Sequence, residues 1–303
     1  MIPTYNRKDY LKRAVESILC QSSMDFNLII VNNCSNDDTK SYLDFLTHEL
    51  NGFEFQVVNQ DQTIWPVDNW KCGFDLIETE FFFMLGDDDY LGVDFVKTFN
   101  DYCKEYQDPD IVSFNYTRVD RQGRIIDRVG PCKNGLIERS EFACLCLSHQ
   151  IFFGSSVFRT KKLSKFWQMG SSHFDFDYMV LNYLSLDGGK WVCVNDFDQV
   201  FITLHPQSAT SAISNKIIDI TFNSLKGFVS YRKSLSYCAK EGADFITEKN
   251  IKDEIGNWLI VGSRKERKAN YFRSLKKAFS ACLYLNFSMA SLKNILKSLV
   301  GIG

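Results

Sequence analysis

The sequence predicts an α/β architecture, a mixed sheet flanked by helices, with a helical C-terminal extension. Over the first hundred residues, stretches of helical periodicity alternate with short apolar runs of strand length, the order a helix-covered sheet requires. From about Ile111 to Pro206 the pattern shifts to shorter strands separated by hairpin signals. From about Lys216 onward the periodicity is helical, with an apolar stripe at Phe272, Leu275, Phe279, Cys282, Leu283 and Leu292. These changes divide the chain into one mixed domain, 1–215, made of halves 1–110 and 111–215, and a helical region, 216–303.

Each element has a local reason. Ala14 to Cys20 follows a charged helical stretch, and Phe26-Asn27-Leu28-Ile29-Ile30-Val31 reads as a buried strand closed by a polar loop, Asn32 to Asp38. A second helix is predicted over Thr39 to Leu50, a strand over Phe53 to Val58, and a third helix from near Asp68. Phe81-Phe82-Phe83-Met84-Leu85 is an apolar run of strand length that stops at Gly86-Asp87-Asp88-Asp89. Arg121-Gln122-Gly123 and Asp187-Gly188-Gly189 are hairpin signals.

Composition bounds the function. With 303 residues, 45% hydrophobic, 24% charged and 15% aromatic, the chain is globular and not disordered or fibrous. A net charge of −2 offers no global basic field for nucleic acid, so no nucleic-acid partner is expected. Ten cysteines without a C-x-x-C pair read as reduced thiols, Cys144 and Cys146 being the only close pair. The start lacks the apolar core of a signal peptide, and no run approaches the roughly 20 apolar residues of a membrane span, so a cytoplasmic location is expected.

Charge is unevenly spread. Residues 261–303 hold nine basic residues and one acid, a net charge of +8, which leaves about −10 on the remainder. A basic amphipathic segment over 264–300 suits peripheral contact with an anionic membrane, at the inner face of the cytoplasmic membrane. It equally suits a helix packed on the domain with a solvated basic face.

Three consecutive carboxylates at the end of an apolar strand call for neutralisation, because like charges so close repel. Oxygen ligands of this kind select Mn2+ or Mg2+, ions that keep waters and share their coordination with substrate phosphates.

Ile2-Pro3-Thr4-Tyr5-Asn6-Arg7, then Ile29-Ile30-Val31-Asn32-Asn33-Cys34-Ser35-Asn36-Asp37-Asp38-Thr39, then Gly86-Asp87-Asp88-Asp89-Tyr90-Leu91 resembles family-2 glycosyltransferases of the GT-A fold, the nucleotide-diphospho-sugar transferase architecture. Pro66-Val67-Asp68-Asn69-Trp70 with the Gly-led acidic cluster looks like the abequosyltransferase-type branch that builds bacterial O-antigens. The resemblance is strong over 1–95, moderate to about 215, and absent beyond. It implies a nucleotide-binding half, 1–110, and an acceptor-binding half, 111–215.

The resemblance also implies roles. Pro3, Thr4 and Tyr5 would line the nucleotide base pocket. Asn33 stands where an aspartate usually meets the base, and an amide, which both donates and accepts, departs from that pattern. Asn69 matches a donor-site asparagine, with a helix cap as the other reading. Gly86 replaces the first aspartate of a D-x-D signature, so Asp88 falls on the metal position, with Asp87 near the ribose or metal and Asp89 orienting the loop or the acceptor. In His173-Phe174-Asp175-Phe176-Asp177-Tyr178, Asp177 matches the general base, its preceding acid replaced by Phe176, and Asp175 is the second candidate. His205, in Leu204-His205-Pro206-Gln207-Ser208, matches a His-x-x-Ser segment as metal ligand or diphosphate contact. The first strand retains only Met1 and Ile2 before the Pro-Thr-Tyr turn, either a stub or the continuation of an upstream start.

The implied activity is inverting transfer of a sugar from a nucleotide-sugar donor to a hydroxyl of a bacterial surface glycan, polyprenyl-linked, such as O-antigen or capsule. Two alternatives stay open. A sugar-1-phosphate nucleotidyltransferase would carry a Gly-rich phosphate loop near the start, and none follows Thr4. A degenerate nucleotide-binding protein of a glycan-assembly complex is favoured by Asn33, Gly86 and Phe176 and opposed by Asp88 and Asp177.

Overall fold

The structure is a computed structural model that describes residues 1–208 apart from 51–52, 132, 139–140, 143–144, 147–149, 168–183, 185–188 and 207. The chain divides into two compact units, Met1–Ser211 and Ala212–Gly303, and every described residue lies in the first. The helical region expected over 216–303 and Asp187-Gly188 of the second hairpin signal lie outside the described residues.

The first half is built as the sequence pattern predicts. Strands β1 (Ile2–Thr4), β2 (Leu28–Asn32) and β3 (Phe55–Asn59) form a parallel sheet, with Ile2 opposite Ile30 and Leu28 opposite Phe55. All five β2 residues are buried, which a strand covered on both faces needs. Helix α1 (Lys8–Leu19) buries Leu11, Ala14, Val15 and Ile18, one face at helical spacing. Helix α2 (Thr39–Glu49) follows Asp37, whose carboxylate accepts from the Thr39 N–H at 3.0 Å. Helix α3 (Pro66–Phe74) starts two residues before the sequence suggests, with proline in its first turn, where the missing N–H costs nothing. It lies so close to β1 and β2 that a Cβ on Gly73 would come within 2.5 Å of Val31 Cγ2.

Strands from both halves interleave. After β4 (Phe81–Phe82) and β5 (Tyr90–Leu91) come α4 (Phe95–Glu105), β6 (Ile111–Phe114), β7 (Tyr116–Val119), β8 (Ile125–Val129), β9 (Gly135–Ile137), β10 (Ser156–Arg159), α5 (Thr160–Trp167), β11 (Trp191–Val194) and β12 (Val200–Thr203). They form a five-stranded sheet, β4-β10-β6-β11-β9, and a four-stranded one, β5-β12-β7-β8, each mixing parallel and antiparallel pairs. The run 81–85 pairs with β10 only at Phe81 and Phe82. Beyond them Phe83 O accepts from Met1 N at 2.9 Å and Leu85 N donates to Met1 O at 3.0 Å, which joins the first sheet to the second. The Arg121-Gln122-Gly123 signal is a tight β7–β8 turn, closed by Asp120 Oδ1 accepting from Gln122 N and Arg124 N.

Aromatic residues fill much of the core: Trp167 stacks on Phe74 at 4.2 Å between ring centres and meets Phe82 edge-on. A second apolar cluster holds Leu11, Ile30, Leu85, Val112 and Phe114. The six described cysteines, Cys20, Cys34, Cys72, Cys103, Cys146 and Cys193, are free thiols.

Candidate active site

Three distant segments meet where β1, the apolar run 81–85 and β12 end. The apolar run 81–85 delivers Gly86, and a turn closed by Asp89 N donating to Gly86 O at 3.1 Å presents three carboxylates. A Cβ on Gly86 would come within 2.7 Å of Asp89 Oδ2 and 3.0 Å of Asp88 Oδ1, so a side chain here would displace the two carboxylates. Thr4 Oγ1 donates to Asp87 Oδ2 at 2.8 Å, and Thr203 N donates to Asp89 Oδ1 at 2.8 Å. Asp88 Oδ2 is shared, 2.9 Å from Arg7 Nη1 and 3.0 Å from His205 Nε2, while the same Arg7 nitrogen donates to Asp87 Oδ1 at 2.9 Å.

The environment raises two of the three acids. Burial pushes the Asp87 carboxyl up to about 6, against the Arg7 charge and the Thr4 hydrogen bond that favour its ionised form. Burial, with the Asp88 charge, holds Asp89 well above the usual carboxylate range. Burial opposes the charge on Arg7, but Asp87 and Asp88 outweigh it and raise the guanidinium.

Helix α1 positions this loop through polar residues at helical spacing. Tyr10 stacks on the His205 ring with centres 4.5 Å apart. Arg13 Nη2 donates to Asp88 O at 2.7 Å and Thr203 Oγ1 at 2.6 Å, with its guanidinium 4.7 Å from the Tyr90 ring centre. Ser17 Oγ accepts from Leu91 N at 3.1 Å. Just past the helix, Gln21 donates to Gly92 O and accepts from Val96 N. One flank of α1, with Gln21 just beyond it, thus fixes the backbone from the acidic loop to the start of α4.

The expected base-pocket residues take distinct places. Tyr5 is exposed, Pro3 half-buried, and the Thr4 side chain faces Asp87. Asn33 is buried and clamps the neighbouring loop, its Nδ2 donating to Ile64 O at 2.8 Å and its Oδ1 accepting from Ile64 N at 2.9 Å. An ionised carboxylate could accept from Ile64 N but could not donate to Ile64 O, which gives a physical reason for an amide here. Asn69 is not a cap: α3 begins at Pro66, and Asn69 Nδ2 reaches across to Val31 O at 3.1 Å. Asn6 ties the two loops together, its N–H donating to Ser35 Oγ and its Oδ1 accepting from Asn36 N. Beside them lies an open cleft of about 500 Å³ lined by residues 6–10 with Asp37 and Asp38.

Asp175 and Asp177 lie outside the described residues. Among the described residues no three His, Cys, Asp or Glu side chains form a metal-holding group. Asp88 and His205 do form a carboxylate–imidazole donor pair, and buried His205 Nδ1 has no hydrogen-bond partner among the described residues. That pair fits an ion that draws its remaining ligands from water and phosphate. Sequence reasoning quoted Arg7 without a role and passed over Tyr10, Arg13 and Thr203. The legible signal was the 10, 13, 17 spacing of hydrogen-bonding residues along one flank of the apolar face of α1. Among the described residues, no helix is long and apolar enough to cross a membrane.

The family model described as Glycosyl transferase family 2 matches residues 1–167, more than half of the chain. The chain is 34% identical over 91 residues to the GalNAc(5)-diNAcBac-PP-undecaprenol beta-1,3-glucosyltransferase of Campylobacter jejuni, which covers 30% of this chain and 29% of that protein. It is 28% identical over 111 residues to abequosyltransferase RfbV of Salmonella typhimurium, which covers 35% of this chain and 32% of that one. These matches span about a third of either relative. In three dimensions the chain is similar to S. aureus TarS 1-349 in complex with UDP-GlcNAc, with a TM-score of 0.62 at 13% identity, over 98% of this chain and 88% of that one. The complex of TarS 1-349 with UDP gives a TM-score of 0.60 at 14% identity, over 99% and 80% of the two chains. This likeness is one of fold, and it bears out the α/β, GT-A architecture.

Proposed function

This chain belongs to glycosyl transferase family 2, and on that premise we propose that it transfers a sugar, with inversion, from a nucleotide-sugar donor to a hydroxyl of a polyprenyl-linked bacterial surface glycan such as O-antigen or capsule. The observation that carries the reading is the meeting of Thr4, Arg7, Asp87, Asp88 and His205, drawn from three segments, beside an open cleft. The names of the Campylobacter and Salmonella relatives support the acceptor class, and the TarS complexes support a nucleotide donor.

In this reading Pro3, Tyr5, Asn33 and Asn69 shape the donor's nucleotide pocket, and Asp87, held by Thr4, faces the ribose. Asp177 takes the acceptor proton as the hydroxyl oxygen bonds to the anomeric carbon on the face opposite the nucleotide, and the carbon–oxygen bond to the diphosphate breaks. Asp175 is the second candidate for that role. Asp88 and His205 would hold Mn2+ or Mg2+, which when bound supplies Lewis acidity toward a diphosphate. Alignment of donor and acceptor contributes much of the remaining acceleration. The basic segment 264–300 would hold the enzyme at an anionic membrane surface, where such acceptors reside.

The test is a thermal-shift screen of the full chain with UDP, dTDP, GDP and CDP, each with and without Mn2+, since a ligand that binds only the folded state raises the melting temperature. A manganese-dependent shift with one nucleotide is expected. No shift with any of them counts against the donor site, and a shift without donor hydrolysis or transfer points to a nucleotide-binding module.

A further inference from the structure

Asp88 Oδ2 serves two partners, Arg7 Nη1 at 2.9 Å and His205 Nε2 at 3.0 Å, and it belongs to the carboxylate that a divalent ion held by Asp88 and His205 would use. Arg7 Nη1 also bridges to Asp87 Oδ1 at 2.9 Å, so one guanidinium serves as counterion to both acids. A guanidinium and a divalent cation repel when held against the same carboxylate. We propose that Arg7 is a displaceable counterion, which occupies the Asp87–Asp88 pair in the ligand-free protein and yields Asp88 to a divalent cation, so that its charge sets the metal affinity of the site. The proposal rests on the donor-site reading above.

Three features make Arg7 the exchangeable cation. It stands at the N-cap position of α1, outside the regular helix, on a long side chain that is 22% exposed and lines the open cleft. Arg13, the other arginine at the loop, contacts the Asp88 backbone carbonyl and leaves the carboxylate to Arg7 and His205. Arg13 thus holds the Asp88 main chain and the Thr203 hydroxyl, and Arg7 bridges the Asp87 and Asp88 carboxylates. Once displaced, a guanidinium has a fork geometry suited to phosphate. A donor diphosphate in the cleft would give Arg7 a replacement partner, so metal and donor would bind with positive coupling.

The test is Mn2+ binding to the full chain without nucleotide, followed by electron paramagnetic resonance of the free ion. Arg7→Gln is expected to bind Mn2+ roughly tenfold more tightly than wild type, by removal of one competing charge, and Arg7→Lys to stay near wild type. Adding Asp88→Asn to Arg7→Gln is expected to abolish the gain. Arg7→Met is a second neutral variant should the glutamine one fail to fold. An affinity that is unchanged, lower or undetectable in the neutral variant overturns the proposal, as does a gain that survives Asp88→Asn. The donor-site reading is judged separately by the nucleotide shift of the wild-type chain: a normal shift with no change in the neutral variant removes the counterion role alone.

Discussion

Replacing Asn33 by aspartate, the residue that the family resemblance implies at this position, should destabilise the chain. Asn33 is 5% exposed and makes two bonds to the backbone of one residue, donating to Ile64 O at 2.8 Å and accepting from Ile64 N at 2.9 Å. An ionised carboxylate keeps the second bond and loses the first, a direct loss of about 1 kcal/mol. It also turns an oxygen toward the Ile64 carbonyl and leaves two buried acceptors facing each other, for about 1–3 kcal/mol more. The charge strengthens the bond from Ile64 N and returns about 1 kcal/mol. The net cost of about 2 kcal/mol should lower the melting temperature by about 4–8 °C for a domain of this size.

The pH dependence has a definite sign. A protonated carboxyl can still donate to Ile64 O, so folding favours the neutral form and raises the new group's folded pKa above its unfolded value. The destabilisation of Asn33→Asp is therefore absent below the unfolded carboxylate pKa of about 4, grows as pH rises through it, and is complete above the folded pKa. Thermal melts of both proteins from about pH 5 to about pH 8 read this directly, by subtraction of the wild-type curve at each pH. Equal melting temperatures at the high end, or a deficit that does not grow with pH, would refute the clamp as the reason for asparagine.

Other outcomes follow from the same geometry. Arg13→Met removes charge-assisted bonds to Asp88 O and Thr203 Oγ1, so chemical denaturation should show a loss of about 2–4 kcal/mol. Gly86→Asp, which restores the family's first aspartate, would drive a Cβ to 2.7 Å from Asp89 Oδ2 and should lower the melting temperature and abolish any nucleotide shift. Thiol labelling of the native protein with peptide mapping should modify exposed Cys20 and spare Cys103 and Cys193, whose thiols burial pushes up to about 12. Asp177→Asn should abolish sugar transfer and leave nucleotide binding intact, and normal turnover would remove Asp177 from the base role.

The helices and strands of the first hundred residues were legible because their signals are local. The alternation of apolar runs and helical stretches located β2, α2 and β3 within about two residues of their ends. The acidic loop was legible for the same reason, as charge directly after an apolar run. What periodicity missed is the division of 81–85, where Phe81 and Phe82 pair with β10 and Phe83 and Leu85 bond to Met1. Nothing within those five residues distinguishes the two partners. The cap reading of Asn69 failed because Pro66 already starts the helix, which frees the Asn69 amide to reach Val31.

By itself the sequence determined the α/β class, the family, the order of elements and the identity of the acids, because backbone propensity, side-chain periodicity and motif spacing are written within a few residues of one another. Only the tertiary structure decided what each acid meets. Arg7 reaches Asp87 and Asp88 across some 80 positions, and His205 reaches Asp88 across 117. Such contacts form only after sheet pairing and helix docking have closed those loops. The charge balance of the site is therefore a property of the packed molecule: the sequence supplies two acids and an arginine, and burial with long-range contact makes them one ion-paired cluster.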